Sequence, residues 1–299
     1  MKKVFKRKFW MQVTAIVLAF AINFGALDGI IRFTVQEFAL GSFDGFLKSA
    51  SAKSEEGNKK KNVLPDSAGP KKLKNPLAEE AKEKLEVVAK RTENSKTFKI
   101  GEDEYKTEVY QEPVHYTAEN GEQIDIDNTL VESAEKDYRF ENRANSLKVR
   151  FAGKTGGKAL AQVQQREYSI KWFLLDGQEA QGNTCKNNIT YSGIEENTDL
   201  RYSIDGETLK EEIILKSPDA PPEFKFALTL KNVAYELQED GTIKFVDRRS
   251  GDTVWVMPKP FMYDAKGETS RAVTADMGYR AGQPVLTVKA DQEWLSSPG

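Results

Sequence analysis

Cysteine, histidine and net charge are all scarce in this 299-residue chain, and each scarcity removes a class of function. Its one cysteine, Cys185, cannot form an intramolecular disulfide. It also lies too far from the N-terminus to be the lipid-modified first residue of a mature lipoprotein. An exported chain so poor in cysteine fits the composition of Gram-positive bacterial surface proteins better than that of secreted eukaryotic ones. A single histidine, His115, together with a single cysteine cannot build a usual zinc site. The 44 basic and 46 acidic residues leave a net charge of −2, which argues against a nucleic-acid partner. Binding to a phosphate backbone needs a clustered basic face that displaces counterions.

The N-terminus supplies what the rest withholds. MKKVFKRKFW carries five basic residues, and Phe9–Leu27 follows without a charge. A basic flank ahead of an apolar run is what the secretion machinery reads, so residues 1–29 are expected to be a signal peptide or an N-terminal helical membrane anchor. The run lies between the length of a signal and the roughly 20 residues that span a bilayer, and both outcomes stay open. Either one leaves the remaining chain outside the cytoplasm, at the cell surface or released, with the N-terminal segment meeting membrane and secretion machinery. Residues 30–75 have little to bury and are expected to form a polar tether. Pro76 then opens an amphipathic helix over 76–91, with Leu77, Ala81, Leu85 and Val88 at helical spacing and charges ordered to suit its dipole.

From Thr92 the period changes to two. In EFKFALTL, Phe224, Phe226, Leu228 and Leu230 point one way, while Glu223, Lys225 and Thr229 point the other. About a dozen such runs alternate with turn signals such as Asn120-Gly121, Asp205-Gly206 and Asp240-Gly241, which supply the positive φ of tight hairpins. The expected fold is mainly β. It is an antiparallel multi-stranded β-sandwich over 92–299, or two packed sandwiches with a seam near 217–222.

Candidate chemistry is weighed on spacing. PVHYTAENGEQIDIDNTL (113–130) holds His115 and the D-x-D-N spelling of Asp125, Asp127 and Asn128. A calcium loop from Asp125 would need glycine at its sixth position and glutamate at its twelfth, where Leu130 and Lys136 stand. Strand alternation accounts for the segment better, with Ile124 and Ile126 inward, Asp125 and Asp127 outward, and His115 on the hydrophilic face. No G-x-S-x-G elbow offers a nucleophile. Glu211 and Glu212 are adjacent in a strand, so they point to opposite faces and are read as a solvated edge rather than a glycosidase pair. Trp172 and Trp255 sit in apolar settings that suit a core. Tyr168, Tyr191, Tyr202 and Tyr263 are the other aromatics weighed for sugar stacking. GKTGG (153–157) has the wrong context for a phosphate loop and is read as a turn. No catalytic, cofactor-binding or metal-ligating residue is therefore assigned.

Several segments in order resemble one family. RTENSKTF (91–98), YKTEVYQEPVHY (105–116), DIDNTLVES (125–133), ENRANSLKVRF (141–151), DLRYSI…LKEEIILKSPDAP (199–221) and PKPFMYDAKG (258–267) resemble the N-terminal leader region of bacterial wall-associated RHS/YD-repeat proteins and of secreted DNRLRE-domain proteins. That family commonly carries a tryptophan where Gln123 stands here. It continues into repeats and a toxin, whereas this chain stops at EWLSSPG, leaving the run Pro284–Ala290 as an expected edge strand. The resemblance implies a fragment or stand-alone leader without toxin delivery. The expectation is thus an exported, non-catalytic wall-associated scaffold module. The alternatives are a module that binds carbohydrate or cell-wall polymer and, more weakly, a glycan hydrolase.

Overall fold

The computed structural model describes residues 13–20, as a strand path, and residues 85–296. The tether over 30–75 and most of the helix expected over 76–91 lie outside the described residues. Of the N-terminal segment expected to be a hydrophobic helix, the other residues of 1–29 lie outside the described residues, and Val13–Phe20 is a strand, β1. Its residues include the β-branched Val13, Thr14, Ile16 and Val17, which suit extended backbone. The last part of the expected helix also differs. Leu85–Glu86 forms a short strand, β2, and Val88–Lys90 a single 3₁₀ turn. Glu86 is drawn there by pairing with Phe98 and by an ion pair to Arg91, which outweigh the weak stripe of the helical reading.

Among the described residues every strand pairing is antiparallel. β2 joins β3 (Ser95–Lys99) and β4 (Tyr105–Val109) in a small sheet. β5 (His115–Thr117) and β6 (Gln123–Asp125) form a hairpin turned at Asn120-Gly121, where Gly121 adopts φ +84. Then come β7 (Asp127–Glu132), β8 (Phe140–Ala144), β9 (Lys148–Phe151), β10 (Ala161–Gln165) and β11 (Tyr168–Leu175). β12 (Gly182–Cys185), β13 (Asn188–Glu195), β14 (Thr198–Asp205) and β15 (Thr208–Leu215) make a meander. Residues 217–222 lead from it to β16 (Glu223–Lys231). The chain continues through β17 (Val233–Leu237), β18 (Ile243–Asp247), β19 (Thr253–Met257), β20 (Phe261–Asp264) and β21 (Thr269–Ser270). It ends in β22 (Val273–Arg280), β23 (Gln283–Ala290) and a short helix, α1 (Gln292–Ser296).

Two large sheets carry the fold. One runs β22-β23-β16-β11-β10-β9-β8-β7, and the other β12-β13-β14-β15-β1-β20-β21. Their facing residues share one core. Val149, Phe151, Ile170, Trp172 and Phe226 come from the first sheet, and Ile189, Tyr191, Tyr202, Leu209 and Ile213 from the second. Phe151 and Tyr202 meet across the interface with ring centroids 5.3 Å apart. The three-stranded sheet β17-β18-β19 adds Phe245, Trp255 and Met257 to the same core. Burying an aromatic of this size contributes up to about 3 kcal/mol. The alternation read in EFKFALTL holds: Phe224, Phe226 and Leu228 are buried while Glu223 and Thr229 are exposed. The expected edge at Pro284–Ala290 is corrected. β23 lies inside the sheet, hydrogen-bonded to β22 on one side and β16 on the other.

Candidate functional site

Three polar clusters stand out, and the segment holding the only histidine belongs to the first. His115 opens β5 directly across from Asp125 on β6. Contrary to the expectation of a hydrophilic face, its side chain is fully buried, while Val114 and Tyr116 are only half-buried. The reason is local. His115 Nδ1 lies 2.7 Å from the Thr92 carbonyl oxygen, which can only accept, so Nδ1 carries the proton. Nε2 then faces two carboxylates, 3.5 Å from Asp125 Oδ1 and 3.8 Å from Glu86 Oε1. Arg91 holds both carboxylates. It bonds Glu86 through two nitrogens at 2.8 Å and Asp125 at 2.7 Å, and it also donates to the Gln123 carbonyl. Lys96 closes the group on Asp125.

The charges shift accordingly. The hydrogen bond from Arg91 holds the Glu86 carboxyl below its usual range. Desolvation pushes Asp125 up, but the Lys96 hydrogen bond with the Lys96 and Arg91 charges outweighs it, and the net shift is downward. Two cations already neutralise the two carboxylates, and Nε2 faces carboxylates rather than a hydroxyl or thiol it could activate. The cluster therefore latches the β5–β6 hairpin to the strand β2 and the Arg91 turn. Asp125 does not simply face water as the alternation suggested. Gln123 sits at this latch too, its amide donating to Thr117.

Arg91→Met tests the latch. It should lower unfolding stability by about 2 kcal/mol at pH 7, since it strands the part-buried Glu86 carboxylate and leaves Asp125 with Lys96 alone. The stabilisation that depends on lowered carboxyl pKa values exists above the unfolded values of 4.5 and 3.8 and disappears as pH falls through the folded ones. Urea unfolding at pH 7 and pH 3 should thus show the defect shrinking in acid. An equal loss at both pH values would contradict the latch.

The second cluster explains Asn128. Its side-chain amide donates to the Gly206 carbonyl at 2.8 Å, and Asn145 donates to the same oxygen at 2.8 Å. Asn142 and Asn145 both donate to Asn128 Oδ1. Gly206 is the β14–β15 turn, at φ +53, where a side chain would also approach Glu112. The D-x-D-N spelling is thus half capping, half docking: Asp127 Oδ1 accepts from the Thr129 amide and Asn128 holds a hairpin of the opposite sheet.

The third cluster lies between the sheets. Trp172 Nε1 donates to Tyr202 at 2.9 Å, and the Tyr202 hydroxyl donates to Glu211 Oε2 at 2.5 Å. Glu211 is 2% exposed, and its other oxygen has no hydrogen-bond partner. It lines a void of about 10 Å³, with Ile170, Trp172, Phe226, Leu228, Phe245, Met257 and Leu286. Room of that size holds at most one water. Desolvation pushes its carboxyl up to about 7, against the opposing pull of the Tyr202 hydrogen bond. The reading of Glu211-Glu212 as a solvated edge is therefore corrected. The two do point to opposite faces, but Glu211 points into the core and Glu212 pairs with Arg201 and Tyr263. The missed signal was in the strand itself, because Leu209, Glu211, Ile213 and Leu215 share one face.

The remaining candidates sort plainly. Trp172 and Trp255 are buried, at 2% and 1% exposure, as are Tyr191 and Tyr202. Tyr168 and Tyr263 are half-buried and bonded to Asp247 and Glu212. Cys185 is exposed. In GKTGG, Thr155 is buried and its hydroxyl donates to the Gln178 carbonyl at 2.6 Å, which pins a neighbouring loop. Among the described residues no group of three or more His, Cys, Asp and Glu is placed to hold a metal ion, and no helix is long and apolar enough to cross a membrane.

Comparison with known proteins finds sequence similarity to wall-associated proteins. The "Wall-associated protein" of Geobacillus stearothermophilus is 27% identical over 194 residues, covering 60% of this chain and 75% of that protein. The chain is similar to this wall-associated protein over three quarters of that protein's length. The "tRNA3(Ser)-specific nuclease WapA" of Bacillus spizizenii and the "tRNA nuclease WapA" of Bacillus subtilis (strain 168) are each 30% identical over 234 residues, 71% of this chain. The chain spans about a tenth of the length of these two Bacillus proteins. No protein-family model matches it. No solved structure matches it either. Likeness to wall-associated proteins supports a cell-wall-associated module at the cell surface.

Proposed function

We propose that the chain is an exported, non-catalytic scaffold module of the bacterial wall, corresponding to the leader region of RHS-type and DNRLRE-type surface proteins. One observation carries this reading: the side chains best suited to chemistry or sugar stacking are spent on the fold. Trp172, Trp255 and Tyr202 are core, Glu211 is enclosed with them, and His115 is buried and held through Nδ1 on the Thr92 carbonyl. The nuclease activity in the names of the Bacillus relatives is placed outside the matched tenth of those proteins. The near-balanced charge of this chain supports that placement. The N-terminal segment meets the membrane and secretion machinery during export, and it anchors the module where it is not cleaved.

A wall-polymer-binding module is the second reading, favoured by one feature. Tyr279 on β22 is 68% exposed and stands 6.2 Å from the Tyr235 ring, with the planes 41° apart. An exposed ring beside a half-buried one offers some sugar-stacking area, although tilted rings make a poor platform. Sedimenting the purified full chain with isolated bacterial walls, and incubating it with transfer RNA, separates the readings. The scaffold predicts neither saturable binding nor cleavage. Saturable binding lost in Tyr279→Ala would establish the second reading instead, and cleavage would overturn both.

A further inference from the structure

The second large sheet contains a place for one strand that the rest of the module does not supply. β15 and β20 are not paired with each other. Both pair with β1, which runs between them with Ile16 opposite Ile213 and Met262, and Val17 opposite Glu212 and Phe261. Neighbouring strands are about 4.8 Å apart, so β15 and β20 are held roughly one strand-width open, close to 10 Å. Without an occupant, the outward-facing amides and carbonyls of residues 209–213 on β15 and of Phe261–Asp264 on β20 would face a gap within a sheet. Backbone groups in such a position are nearly always paired.

The occupant comes from the apolar run that also carries the features of an export segment. Crossing a membrane requires that run to be helical, since lipid offers no partner for strand-edge backbone groups. Residues 13–20 cannot be helix and strand at once, so membrane engagement and sheet completion exclude each other.

We propose that the gap between β15 and β20 is a strand-acceptor site whose occupant is the chain's own residues 13–20. The site makes the sheet sense the state of the N-terminus. It is closed when the segment has left the membrane uncleaved, and open along both flanking strands when the segment is held in lipid or removed. This inference stands on strand register and does not depend on the scaffold reading.

Register makes it testable in the full chain, purified free of lipid. Ala19 lies opposite Lys210, whose side chain is 40% exposed on the outer face. With Cys185→Ser to remove the native thiol, Ala19→Cys and Lys210→Cys should close an intramolecular disulfide under mild oxidation. Ala19→Cys with Ser203→Cys, one strand further away, should close at least tenfold more slowly. Comparable rates for the two pairs, or no closure, would overturn the proposal. Disulfide-linked dimers in place of closed monomers would assign the slot to a second copy and overturn the cis occupant. Hydrogen exchange provides a second readout. Val17→Pro removes a ladder donor and should speed exchange of the β1-facing amides among residues 209–213 at least tenfold while leaving β8–β11 unchanged. Unchanged protection of β15 would also overturn the proposal.

Discussion

Glu211→Gln is expected to stabilise the protein by about 2–3 kcal/mol at pH 8 and to leave its stability nearly unchanged at pH 4. The carboxyl sits 2% exposed between two sheets, with one oxygen bonded to Tyr202 and the other without a partner. Burial pushes it up from 4.5 to about 7. Below pH 4.5 the folded and unfolded chains both hold the proton, and the group adds no pH dependence. Between 4.5 and 7 the unfolded chain releases the proton while the folded chain keeps it, so stability falls at up to about 1.4 kcal/mol per pH unit. Above 7 both are ionised and the loss is complete. Glutamine keeps the shape and the acceptor for Tyr202 without the charge, so it removes this slope. Thermal melts across pH 4–8 would show the wild-type midpoint falling toward neutrality while the variant's stays flat. The variant should melt about 5–10 °C higher at pH 8. If the two profiles ran parallel, the carboxyl would have to be solvated rather than enclosed.

That prediction depends on a residue whose burial was legible in the sequence and was passed over. Period-two alternation puts Glu211 with Leu209, Ile213 and Leu215 on one face of β15, and those three are apolar. Charge alone suggested solvent, yet the pattern already pointed inward. His115 is a different case. β5 is three residues long, too short for alternation to define a phase, and the side chain follows the Thr92 carbonyl instead. β10 carries little strand signal, since its AQVQQ alternates little. The strand lies between β9 and β11, and four of its five residues are buried. The sandwich class, the hairpins at Asn-Gly and Asp-Gly and the buried tryptophans were readable because each depends on local pattern. The asparagine cluster was not, since Asn128 and Asn145 meet Gly206 across 78 and 61 residues of chain. The strand role of residues 13–20 was hidden by length and basic flank, which read as export whatever the segment does later.

The asparagine cluster carries the other large expected effect. Asn142→Ala should cost about 3–4 kcal/mol, more than its polar, non-catalytic side chain suggests. Asn142 is fully buried. Its amide donates to the Leu147 carbonyl at 2.8 Å and to Asn128 Oδ1 at 3.1 Å, and its oxygen accepts from the Val149 amide at 2.9 Å. Alanine would leave a buried N–H and a buried C=O without partners, at about 1–3 kcal/mol each. It would also remove one of the two donors to Asn128 Oδ1, leaving Asn145 alone to hold the residue that ties the β14–β15 turn to the sheet carrying β7 and β8. Asn142→Asp separates the acceptor from the donor. It retains the bond from Val149 but sets a carboxylate oxygen against two acceptors, so it should be at least as damaging at pH 7 and partly recover in acid, where a protonated oxygen can donate again. Arg143→Ala, one residue further on, removes only a surface ion pair with Asp127 and should cost under about 1 kcal/mol. Urea unfolding with an unchanged slope would report these as stability differences. A cost below 1 kcal/mol for Asn142→Ala would mean that apolar packing alone joins the two sheets at this end, and that the asparagines follow the turn rather than hold it.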